Sequence, residues 1–195
     1  MIQKHILWAV AGAALLGRAQ TQPALDHAAF VDRLPFRFEE NRGQVAARAP
    51  FIATGPDYRF EASPTKNVLT WTDKRSKNSA SLNTRFVGVT SRARLLPESP
   101  MAATTNYFLG RSPQNWHTGI PNYARLRVSG IYPGIDLVYY GTGGSLEHDF
   151  EVQPGAHSES IVFEVGGAKH IHLTAEGDLV LVDSIASPRN HGRTG

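Results

Sequence analysis

Cysteine is absent from the 195-residue chain, which excludes disulfides, thiolate nucleophiles, cysteine-ligated zinc and iron–sulfur centres. It also excludes the lipid-modified cysteine of a lipoprotein anchor. Charge of one sign is equally scarce: 20 basic residues face 17 acidic ones, a net charge of +3, and so small a surplus gives no argument for nucleic acid as a partner. Long uninterrupted apolar stretches are confined to the N-terminus, and 18 glycines and 12 prolines leave no room for a long helix after it. Sequence signatures of enzymes are missing too. The chain has no G-x-S-x-G elbow, no P-loop, no G-x-G-x-x-G after a strand and no H-E-x-x-H, and no spacing of Ser, His and Asp assembles a triad.

What is present is the balance of a folded domain, 41% hydrophobic and 19% charged. A single unit of this length buries roughly 70% of its unfolded surface and needs neither metal nor disulfide.

The first 19 residues divide into a basic start with Lys4, an apolar run from Ile6 to Gly17 and a polar exit at Arg18-Ala19. That run is too short to cross a hydrocarbon core of about 30 Å and right for the helical core of an export signal. Gly17 and Ala19 supply the small residues for cleavage after Ala19. Residues 1–19 are therefore expected to be a signal helix, the alternative being an uncleaved anchor or a buried helix. Loss of Lys4 and Arg18 takes the basic count from 20 to 18 against 17 acids, or +1. The mature chain is expected extracytoplasmic, secreted or at the cell surface, with no membrane span of its own. Residues 20–33 read as a leader.

From Leu34 the apolar period becomes two, the spacing of extended chain. Short runs beginning at Pro50, Tyr58, Val68, Leu82, Ala93, Asn106, Tyr123, Ile135, Leu146, Ile161, Ile171 and Leu179 are nearly all separated by Gly, Pro, Asn or Asp, which supply turn dihedrals. The clearest pair is Ile135–Tyr140 and Leu146–Val152 around a glycine loop, a hairpin. In its second strand Leu146, His148, Phe150 and Val152 share one face, and Glu147, Asp149 and Glu151 share the other. One dry and one wet face indicate an antiparallel sheet. Many such strands point to a sandwich or an open barrel, and the reading taken is an all-β, antiparallel sandwich-like domain over 34–182, then an irregular tail over 183–195.

Four stretches carry a resemblance: FEENRGQ (Phe38 to Gln44), TNYFLGRSPQNWHTGIPNYARLRVSGIYPGIDLVYYG (Thr105 to Gly141), LEHDFEVQPGA (Leu146 to Ala156) and GDLVL (Gly177 to Leu181). Together they resemble an uncharacterised N-terminal domain of large secreted or cell-surface bacterial proteins, often placed ahead of SBBP-type β-propeller repeats. The resemblance implies an extracytoplasmic β-rich module and carries over no catalytic residue. In that family the chain continues through further strands into the repeats, whereas here it ends soon after GDLVL. The expectation is a truncated domain with an unpaired sheet edge, open to self-association.

Several clusters bear on chemistry. Glu147, Asp149 and Glu151 alternate along one strand with Asp136 on its neighbour, and carboxylates two apart lie about 7 Å apart. Asp136, Glu147 and Asp149 are thus candidates for a calcium ion or a glycan-acting carboxylate pair, set against a plain solvated face. His170 and His172 share a strand face, and the third ligand that zinc needs could come from His148 or His157 only if the fold brought one of them there, set against two plainly exposed histidines. Trp116, Tyr123, Tyr139 and Tyr140 fall close together among asparagines and arginines, as in a sugar-stacking platform, although rings at strand spacing also build cores. Asn41 and Arg42 sit in a glycine turn that they either pin or use to bind a ligand. The leading expectation is a non-enzymatic structural, adhesion or interaction module with no cofactor. Its partners would be a cell-surface polysaccharide or another extracellular protein. Carbohydrate binding is the alternative, and a glycan-acting hydrolase the third reading.

Overall fold

A computed structural model of the chain describes residues 5–6, 36–73, 76–142, 145–168, 170–174 and 179–182. Apart from His5–Ile6, the expected signal lies outside the described residues, as do the leader and the tail. The described residues form thirteen strands: β1 His5–Ile6, β2 Phe38–Glu40, β3 Phe51–Thr54, β4 Tyr58–Ala62, β5 Lys66–Thr72, β6 Ser79–Val87, β7 Arg94–Tyr107, β8 His117–Tyr132, β9 Ile135–Thr142, β10 Ser145–Val152, β11 Val162–Gly166, β12 His170–Leu173 and β13 Leu179–Val182. All pairings are antiparallel. The only helical pieces among the described residues are two single 3-10 turns, Pro113–Asn115 and Ser158–Ser160.

Instead of the two separate layers of the expected sandwich, eleven strands form one sheet that curls into a half-barrel. The reason lies in β8. One edge carries β7 along its length. The other edge is shared: Phe38 and Glu39 of β2 pair with Tyr123 and Asn122, while β9 pairs from Arg125 onward. Two arms, β2-β3-β4-β5-β6-β11 and β9-β10-β1, thus leave the same edge of one strand and fold towards each other. The hairpin β12–β13 forms a separate two-stranded sheet.

A chain of ring contacts joins the arms. Phe60 of β4 meets Tyr139 of β9 at 5.2 Å, Tyr139 meets His148 at 5.9 Å, His148 meets Phe150 at 5.9 Å, and Phe150 meets Phe86 of β6 at 6.2 Å. Each aromatic ring of this seam removes a large apolar area from water and so contributes strongly to the core. Leu126, Val128, Ile131, Leu137 and Phe38 fill in around it at 0% exposure. The curl is closed by polar contacts as well: the Tyr132 hydroxyl donates to the Val162 carbonyl at 2.7 Å, linking the end of β8 to β11.

Two sequence expectations are altered locally. The runs around Ala93 and Asn106 belong to one strand, because Pro97 and Pro100 are tolerated in β7, which has only β8 as a partner. His5–Ile6, expected in a helix, is extended and pairs with β10, His5 opposite Asp149. No helix among the described residues is long and apolar enough to cross a membrane.

Candidate functional site

The turn FEENRGQ is tied down by its own side chains. Asn41 Nδ2 donates to the carbonyls of Ala47 and Ala49 at 2.8 and 3.0 Å, and its Oδ1 accepts from Gly43 N at 3.1 Å. Gly43 needs this freedom, with φ of 99°. Arg42 pairs with Glu40 at 2.8 Å on the surface. Asn41 is therefore a loop pin, and Arg42 is committed to a neighbour.

The same segment sends Glu39 into the interior at 0% exposure. Its carboxylate accepts from the Tyr107 hydroxyl at 2.7 Å, from Thr105 Oγ1 at 3.1 Å and from Arg37 Nε at 3.2 Å. Thr105 also meets Asn122 Oδ1 at 3.0 Å. A buried carboxylate is tolerable only when its lone pairs are filled in this way. Burial, then the hydrogen bond to Glu39, push the Tyr107 hydroxyl up to about 12. Beside Tyr107 lies an open cavity of about 300 Å³ that also touches Thr54, Tyr58, Arg59 and Lys77. Sequence reasoning placed Glu39 in the glycine turn and Asn122 among the polar neighbours of the aromatic segment, and singled out neither Thr105 nor Tyr107. The available signal was that FEENRGQ, TNYFLG and IPNYARL each contribute to this one network.

On the acidic strand face arginine engages Glu151, together with Asp136 of the neighbouring strand. Arg127 contacts Glu151 at 2.6 Å and Asp136 at 3.1 Å, and also pairs with Glu98. Arg125 lies 3.7 Å from Glu151 and 5.4 Å from the Tyr140 ring centre. Tyr140 donates to Asp149 at 2.9 Å; burial and that bond, with Glu147 adding to them, push its hydroxyl up to about 12. Asp136 has a further task, for its Oδ1 accepts from Gly130 N at 2.7 Å. Gly130, at φ 62°, lies where the pairing of β8 with β9 shifts register, and its carbonyl takes Thr90 Oγ1 at 2.6 Å. Asp136 thus fixes a β-bulge from one side and Thr90 from the other. Among the described residues no group of three or more His, Cys, Asp or Glu converges as metal ligands.

The four rings read as a platform are dispersed. Tyr139 is 1% exposed, its hydroxyl accepting from Asn67 at 3.0 Å. Tyr123 packs edge-on to Phe51 at 6.2 Å, and Tyr140 lies under Arg125. Trp116 alone of the four is open to solvent, and Phe108 meets it edge-on at 5.1 Å. These two belong to the connection between β7 and β8, in which every residue from Phe108 to Trp116 is exposed. Phe108, Leu109 and Trp116 form its apolar part, at 63%, 40% and 40% exposure. His170 and His172 are exposed on β12.

A protein-family model described as a domain of unknown function, DUF7948, matches residues 38–191. Comparison with curated proteins and with solved structures returned no match.

Proposed function

The chain belongs to the DUF7948 family of domains, and on that premise we propose that it is a non-enzymatic interaction module of an exported protein, meeting its partner through the end of the β7–β8 hairpin. The observation that carries this reading is a division of labour among side chains. Among the carboxylates weighed for chemistry, Asp136 and Glu151 are engaged by Arg127 and Asp149 by Tyr140, and the buried Glu39 is held by Tyr107 and Thr105. Large apolar side chains face solvent together at Phe108, Leu109 and Trp116, and clustered exposed apolar surface marks contact sites. Replacing all three by serine is expected to leave the unfolding transition within a few degrees of wild type, since little core is lost, and to abolish retention of the protein at the cell surface. Unchanged retention sinks the reading.

Export rests on residues 1–19, with cleavage after Ala19; the intact mass of the exported chain should begin at Gln20. Such cleavage would remove β1 and free the outer edge of β10, which supports self-association through an added strand. Light scattering of the processed chain at rising concentration reads this directly, a constant monomer mass counting against it. The larger setting is a surface protein in which the module precedes SBBP-type repeats, and the downstream genomic sequence tests it.

Carbohydrate is the second reading, favoured by the open Trp116 ring next to the exposed amides of Gln114 and Asn115. A change of Trp116 fluorescence on adding polysaccharide would select it.

A further inference from the structure

Resting on the hairpin end as contact surface, we propose that this end seats in the headgroup layer of an anionic lipid surface. Size is the first argument. A specific protein interface takes about 800 Å² from each partner, whereas the apolar part of this connection is three partly exposed side chains, Phe108, Leu109 and Trp116. Shallow insertion into lipid needs no matching surface.

Composition is the second. Tryptophan favours the boundary between hydrocarbon and headgroups, with phenylalanine and leucine reaching just below it. Arg111 stands in the same connection, and no Asp or Glu occurs between Glu98 and Asp136. Arg125 and Arg127 in that interval face carboxylates of the sheet, so Arg111 is the charge that the hairpin end offers to phosphate.

The backbone supplies the third argument, because unsatisfied polar groups resist entry into lipid. Here the connection bonds to itself: Asn115 N donates to the Ser112 carbonyl and Trp116 N to the Pro113 carbonyl, both at 3.0 Å. Gly119 N donates to Asn106 Oδ1 at 2.7 Å. The edge-on contact of Phe108 with Trp116 holds the two ends of the connection together before any partner arrives. Exposed Ser112, Gln114 and Asn115 limit the depth to the headgroup layer.

The test uses the full chain and vesicles of phosphatidylcholine carrying bromine on the acyl chains, with and without added phosphatidylglycerol. Trp71, and Trp8 where the signal is still attached, are common to all variants, so the quenching lost in Trp116→Phe reports Trp116 alone. Wild type is expected to show that component, and Phe108→Ser with Leu109→Ser to lower its vesicle affinity on the order of tenfold. Arg111→Gln should reduce the preference for anionic vesicles about fivefold, the effect of one basic side chain near such a surface. Equal quenching in wild type and Trp116→Phe overturns the lipid proposal. If polysaccharide then perturbs Trp116, the proposal falls while the interaction reading stands.

Discussion

The Tyr107 hydroxyl donates a 2.7 Å hydrogen bond to the buried carboxylate of Glu39, 68 residues earlier in the chain. That bond ties the end of β7 to β2 across β8, at the junction from which the two arms diverge. Tyr107→Phe keeps the ring and removes the donor, leaving a buried carboxylate oxygen short of a partner. The expected loss is about 1–3 kcal/mol in denaturant unfolding. Thr105→Val should act in the same direction, and the pair should be non-additive because both donate to one carboxylate.

Asp136 serves the bulge at Gly130 as well as Arg127. Asp136→Ala removes both contacts and is expected to destabilise by about 2 kcal/mol. Asp136→Asn preserves an acceptor for Gly130 N and should recover roughly half of that in the same assay.

His148 lies between Tyr139 and Phe150, and burial pulls its pKa down from 6.5 to about 4. Above pH 6.5 the ring is neutral in both states and stability is independent of it. As pH falls below 6.5, the unfolded chain binds the proton first, so stability declines until about pH 4, where the folded state also protonates. The total is at most ~3 kcal/mol. Urea midpoints measured between pH 7 and pH 4 should fall less steeply in His148→Phe than in wild type.

Gly167, at φ 96°, follows β11 where an added Cβ would lie 1.9 Å from the Ser81 carbonyl oxygen of β6. Since that neighbour is backbone, Gly167→Ala forces the strands apart, and a loss of more than about 2 kcal/mol is expected from thermal unfolding.

Strand positions were legible because side-chain alternation is local: the runs beginning at Tyr58, Val68, Leu82, Ile135 and Leu146 each fall within a strand of the structure, and the run from Pro50 overlaps β3. β2 escaped notice because three residues, FEE, carry no visible period. The strand pattern left a sandwich and an open barrel both standing and did not select the single curled sheet. It depends on β8 sharing one edge between β2 and β9, a pairing between distant segments that periodicity does not encode. For the candidate residues, Asn41 could be read as a turn pin from its sequence context. The arginine partners of Asp136 and Glu151 could not, since Arg127 reaches them only across β8, β9 and β10. Trp116 and Tyr139 look alike in sequence; one lies in a connection and the other at the seam between arms, and only the fold separates them.

Hydrogen–deuterium exchange across the whole chain, free and bound to anionic vesicles or another captured surface, tests the central claim most directly. Protection should rise over residues 108–116 and stay level along β4, β5 and β9. Protection gained elsewhere with 108–116 unchanged would contradict the account.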